Sequence, residues 1–134
     1  MANFDYYSPA EISRILSKED NVYFIGIGGV SMSSLAEIAS KKVSRVAGSD
    51  RTLSSVTDAL QKEGITVYEG HSAKNCSGYT VFVYNSAIHA DNPEYAYAKE
   101  NKYPLIRRAD FLGYVASAPV ATPVKRLVVI APRR

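Results

Sequence analysis

The apolar run from Val22 to Ile27 passes directly into Gly26-Ile27-Gly28-Gly29-Val30-Ser31, and then into Met32, Leu35, Ala36 and Ala39 at helical spacing. Strand, glycine turn and helix in immediate succession is a severe constraint. A strand that is apolar along its whole length belongs to a parallel sheet covered on both faces. Glycines at its carboxyl end let another group approach the backbone where the next helix begins. That helix end carries unpaired amides and a partial positive charge, so the turn suits an anion such as a diphosphate. A tight structural turn is the other reading, and Ser31 stands where the Gly-x-Gly-x-x-Gly pattern has its third glycine.

The rest of the chain repeats the alternation. Ser8-Pro9-Ala10-Glu11 opens a helix with a cap, a proline at its first position and an acid to complete a capping box. Ile12, Ile15 and Leu16 give that helix one apolar face. Val43 to Ala47 reads as a second strand closing on Gly48-Ser49-Asp50, and Ser55 with Asp58 starts a helix with Val56, Ala59 and Leu60 on one face and Gly64 as its stop. Ile65 to Tyr68, Tyr79 to Tyr84 and Pro104 to Ile106 read as further strands, the second of these the strongest. Asn92-Pro93-Glu94 caps a helix reaching about Lys102, and a last helix lies around Asp110 to Val115. Strands alternating with helices mean right-handed crossovers, and the expected fold is α/β, a doubly wound, Rossmann-like parallel sheet of about five strands.

A length of 134 residues suits one domain with its own core. The expected boundaries are a domain over 1–116 and a linker with a basic tail over 117–134. Within that tail Leu127 to Ile130 resembles a strand with nothing after it, which points to a larger parent, an edge strand or an unstructured end. The net charge of +3 has a local source: Lys125, Arg126, Arg133 and Arg134 all fall in the last ten residues, and without those ten, 12 basic side chains face 13 acidic ones. A basic face for nucleic acid is therefore not expected. Cys76 is the single cysteine and has no metal-ligand spacing around it, so neither a disulfide nor a metal site is expected. No leader or run of roughly 20 apolar residues is visible, which gives the expectation of a cytoplasmic chain with no membrane partner.

Candidate binding residues collect at the carboxyl ends of the strands, where open α/β sheets hold ligands. Asp50 is placed to accept ribose hydroxyls or to close a turn. His71 follows the third strand, Asn85-Ser86-Ala87 the fourth, and Arg107-Arg108 the fifth, where a guanidinium fork could clamp a diphosphate. The glycine turn with Asp50 would suit NAD or NADP in a redox enzyme or sensor. That alternative needs a second nucleotide-binding half and a substrate acid or base, for which no sequence pattern is seen.

Phe24-Ile25-Gly26-Ile27-Gly28-Gly29, Met32-Ser33, Leu35-Ala36-Glu37-Ile38, Gly48-Ser49-Asp50, Ser54 with Thr57 and Leu60, Gly70-His71 with Asn75, Ser86-Ala87-Ile88, Asn92-Pro93-Glu94 and Arg108-Ala109-Asp110 occur in that order. Over about residues 20 to 112 the set resembles the N-terminal domain of the Mur ligases. Within that family it is most similar to the branch joining L-alanine to UDP-N-acetylmuramate, with the muramyl-peptide recycling branch close beside it.

The resemblance implies a domain that holds UDP-N-acetylmuramate for an ATP-dependent amide ligase of peptidoglycan synthesis. By matching positions, Gly26, Ile27, Gly28 and Gly29 would cradle the diphosphate. Asp50 and the segment from Ser54 to Thr57 would line the ribose, His71 and Ser86 would border the uridine, and Arg108 would face the phosphates. No catalytic residue is implied within this chain. ATP and magnesium would belong to a further domain of a parent ligase, since no Walker-type lysine loop occurs in the sequence. Ser31 and Asn85 depart from the residues usual in the family. A stand-alone regulatory module that no longer binds is a third reading.

Overall fold

A computed structural model describes residues 6–117. The linker from position 118, the strand expected at Leu127 to Ile130 and the basic tail lie outside the described residues; Ser117 closes the last helix.

Five parallel strands, β1 (Asn21–Ile25), β2 (Arg45–Asp50), β3 (Thr66–Glu69), β4 (Phe82–Tyr84) and β5 (Leu105–Arg107), form one sheet in the order β3-β2-β1-β4-β5. The helices are α1 (Pro9–Lys18), α2 (Val30–Ser40), α3 (Ser55–Lys62), α4 (Pro93–Glu100) and α5 (Arg108–Ser117), with a 3-10 turn over Ala73–Cys76. The expected α/β, doubly wound architecture is what the chain adopts. Its strand order reverses direction between β1 and β4, and a crevice opens at such a switch point beyond the carboxyl ends of the strands.

The two-residue alternation of β1 divides the core. Val22 and Phe24 face a layer built with Ile12, Met32, Leu35, Ala36 and Phe111, whereas Tyr23 and Ile25 face a layer with Cys76, Phe82 and Ala98. Phe111 meets Phe24 edge to face at 5.7 Å and ties α5 to the sheet. The four apolar positions read for α2 are all buried. The capping box of Ser8 and Glu11 forms as expected.

Several boundaries differ from the sequence reading by a residue or two, and three of the differences have a clear physical cause. Gly48, Ser49 and Asp50 do not close β2 but belong to it, Gly48 opposite Phe24 and Ser49 opposite Ile25. The α3 cap lies one residue earlier: the Ser54 hydroxyl accepts from the amides of Val56 and Thr57, while Thr57 Oγ1 accepts from the Ser54 amide. Thr57 and Leu60 are therefore the buried residues of α3, and Ala59 is exposed. β4 is short because its expected first residues are committed elsewhere. The Tyr79 amide closes the 3-10 turn on Cys76, and Thr80 bonds the side chains of Asn21 and Glu19.

Candidate functional site

The turn after β1 is held by the end of β2. The amides of Gly26 and Ile27 both donate to the Ser49 carbonyl at 2.8 Å, that of Gly28 donates to Asp50 Oδ2 at 2.8 Å, and that of Gly29 reaches the Gly26 carbonyl at 3.4 Å. Gly26 sits at φ +85°, a conformation suited to glycine. Gly28 allows close approach: a Cβ there would lie 2.8 Å from Asp50 Oδ2. The Ile27 side chain folds inward over Gly48, where a Cβ would come within 2.8 Å of it.

With the four loop amides spent internally, the donors open to an anion are the first-turn amides of α2, at Val30, Ser31 and Met32. Gly29 is the N-cap, offers no side chain, and no acid lies in the first turn. The positive helix end is thus uncompensated from within. Arg108 comes to it from the start of α5, donating through Nη1 to the Ser31 hydroxyl at 3.2 Å. Arg107 is otherwise engaged. Its guanidinium pairs with both oxygens of Asp110 at 3.3 Å and stacks over Tyr6 at 4.3 Å, and the Asp110 bonds hold it above its ordinary pKa. Both arginines line one hollow, but only Arg108 reaches the end of α2.

Two hollows adjoin at the strand ends and share Asn85. The larger, about 400 Å³, is lined by residues that include Gly26, Gly29, Asp50, His71, Asn85 and Asn92. The smaller, about 210 Å³, includes Ser86, Arg107 and Arg108. Of the residues singled out from the sequence, Gly26, Gly29, Asp50, His71, Asn85, Ser86, Ala87, Arg107 and Arg108 therefore line the site. Ile27 is fully buried in the core. Ser54 and Thr57 are engaged with each other as the α3 capping box, and Thr57 stands behind Gly28, 3.3 Å from where a Cβ would be.

The residue missed by sequence reasoning is Glu94. Read as a helix-capping acid, it is fully buried beneath the larger hollow. Its Oε2 accepts from Tyr23 Oη at 2.6 Å, the Ser72 amide at 3.1 Å and Asn75 Nδ2 at 3.3 Å. Its Oε1 accepts from Ser49 Oγ at 2.5 Å and lies 3.2 Å from His71 Nδ1, which is itself 2.8 Å from Ser49 Oγ. Burial, reinforced by the Glu94 charge, raises Tyr23 far above the usual phenol range and pushes the Cys76 thiol up to about 12. No local signal separates this glutamate from an ordinary first-turn acid, because its partners come from distant segments. Among the described residues no group of three or more His, Cys, Asp or Glu gathers that could hold a metal, and no helix is long and apolar enough to cross a membrane.

Residues 21–119 match the model of the Mur ligase family, catalytic domain. The chain is 48% identical over 103 residues to the UDP-N-acetylmuramate–L-alanine ligase of Clostridium acetobutylicum, covering 77% of this chain and 22% of that relative. It resembles the crystal structure of the UDP-N-acetylmuramate–alanine ligase MurC from Thermotoga maritima with a TM-score of 0.66 at 30% identity, over 69% of this chain and 21% of that one. A UDP-N-acetylmuramate:L-alanyl-gamma-D-glutamyl-meso-diaminopimelate ligase from Neisseria meningitides gives a TM-score of 0.63 at 27% identity, over 70% of this chain and 30% of that one. The chain spans about a fifth of the length of the curated relative it matches.

Proposed function

The chain belongs to the Mur ligase family, and from that premise we propose that it binds UDP-N-acetylmuramate in the two hollows at the strand ends, as the sugar-nucleotide-holding part of an L-alanine-adding ligase of peptidoglycan synthesis. The observation that carries this reading is the uncapped N-terminus of α2 with Arg108 bonded beside it at Ser31. It is a site for a diphosphate at the switch point of the sheet. In this arrangement the α2 amides and Arg108 hold the phosphates, Asp50 meets the ribose, and His71 and Ser86 border the base. The glycines supply room rather than donors. Activation of the muramyl carboxylate by ATP and magnesium is assigned to the remainder of a full-length ligase, so this chain's part is to bind and orient.

Calorimetry on the full chain tests the reading. UDP-N-acetylmuramate should release heat, and Arg108→Ala should weaken its binding about tenfold or more, the scale of a charge-assisted hydrogen bond. Stabilisation by NAD or NADP with none from UDP-N-acetylmuramate would replace it with the redox-cofactor alternative. No stabilisation by any of the three would favour a non-binding module.

A further inference from the structure

We propose that Glu94 is a positioning residue: with Ser49 it fixes the His71 ring so that Nδ1 donates inward and Nε2 faces the larger hollow as a hydrogen-bond acceptor. The inference rests on the reading of that hollow as the sugar-nucleotide site.

A fully buried carboxylate is costly unless its oxygens are satisfied, and Glu94 is not needed to cap its helix. Asn92 does that, its Oδ1 accepting from the amides of Glu94 and Tyr95. The Glu94 oxygens instead gather groups from β1, β2, the segment after β3 and the 3-10 turn. Three of these, Tyr23, Ser72 and Asn75, fix the carboxylate from the Oε2 side. The other two form the side that faces the ligand.

The hydrogen positions on that side follow from counting donors. A carboxylate only accepts, so the 2.5 Å contact with Ser49 Oγ uses the one serine proton. Ser49 Oγ can then only accept from His71. Both neighbours of Nδ1, Ser49 Oγ at 2.8 Å and Glu94 Oε1 at 3.2 Å, are acceptors, and Nδ1 must carry a proton. The opposite tautomer would leave a ring lone pair facing the carboxylate, with its proton on Nε2. The network thus chooses the tautomer, as carboxylate partners do for histidine elsewhere. In the neutral ring, Nε2 is left with its lone pair in a hollow that His71 lines. The ligand group that fits there is a donor, such as a hydroxyl or an imide N–H. A carbonyl or phosphate oxygen would meet a repulsive lone pair.

The test begins with the free chain. Ring-nitrogen NMR at pH about 8, above the ordinary histidine range, should show Nδ1 protonated and Nε2 bare. Glu94→Gln should mix the tautomers, whereas Ser49→Ala, which leaves Glu94 Oε1 beside Nδ1, should keep the tautomer and loosen the ring. Each should weaken UDP-N-acetylmuramate about tenfold, the value of one hydrogen bond, and Ser49→Ala with the wild-type tautomer carries the test if Glu94→Gln does not fold. His71→Ala should lose as much, and adding Ser49→Ala to it should cost nothing more. A proton on Nε2 in the free protein, or an undiminished Ser49→Ala effect without His71, would overturn the proposal. If the wild-type chain does not bind the sugar nucleotide, the reading of the hollow fails, while the tautomer measurement still decides the role of Glu94.

Discussion

The Asp50 carboxylate, at the end of β2, holds the amide of Gly28 at 2.8 Å across the turn that follows β1. Of the two roles the sequence allows Asp50, ribose acceptor or turn residue, the second is the one this bond displays: Asp50 anchors the glycine turn. Gly28→Ala would set a methyl 2.8 Å from Asp50 Oδ2, and the side chain must swing away and give up the bond. The expected cost is about 1.5–3 kcal/mol of stability in urea unfolding, the value of a hydrogen bond to a charged group. Asp50→Ala should cost a similar amount, and the two changes together less than their sum. Fully additive losses would mean that the bond contributes nothing.

Gly48→Ala should be more damaging than substitution of a glycine in an open turn. Its Cβ would stand 2.5 Å from the Phe24 carbonyl oxygen, which is backbone and cannot turn aside, and within 2.8 Å of the Ile27 side chain. A loss of about 3 kcal/mol is expected, at the upper end for an overpacked core. Gly64→Ala, at φ +92° in open space, should cost only about 1–2 kcal/mol for its backbone conformation. Equal midpoints for the two variants in urea would contradict this account of Gly48.

Phe111 is fully buried and packs edge to face on Phe24. Phe111→Ala should remove about 3–5 kcal/mol, a large share of the roughly 5–15 kcal/mol that holds an ordinary domain together. Thermal unfolding followed by circular dichroism would read the loss directly, and a variant that melts with the wild type would show that α5 is not anchored through this ring.

Cys76 gives a dependence on alkaline pH. Its thiol moves from 9.0 to about 12 on folding, chiefly through burial and secondarily through the Glu94 charge. The folded chain therefore holds this proton more tightly than the unfolded one. The resulting stability is complete below pH 9 and disappears as pH rises towards 12. Cys76→Ala should lose less stability than the wild type over that interval. In the native wild type near pH 8 the thiol should resist a disulfide-exchange reagent that reacts at once after unfolding, and rapid native reaction would show that it is not buried.

The fold was legible because its signals are local. The Ser8 box, the Asn92 cap and the period of Met32, Leu35, Ala36 and Ala39 each reside within a dozen residues, and each marks an element that forms. Gly48 misled because a glycine before Ser-Asp reads as a strand end, whereas here it is the space into which Ile27 folds. The site was legible in outline, since strand ends in an α/β sheet locate the crevice. Its division of labour was not. Which amides remain free after Ser49 and Asp50 have taken theirs, and which acid lies under His71, depend on contacts between residues 19 to 45 positions or more apart. Nothing in local spacing encodes those.

Ser49 faces both ways. Its carbonyl receives the amides of Gly26 and Ile27, and its hydroxyl joins Glu94 and His71. The N-terminal end of α2 and the histidine wall are therefore registered to each other by one residue near the carboxyl end of β2, not by two independent loops. The cleft works as a ruler, and a ligand that is to touch both ends must match a span fixed by a single peptide unit.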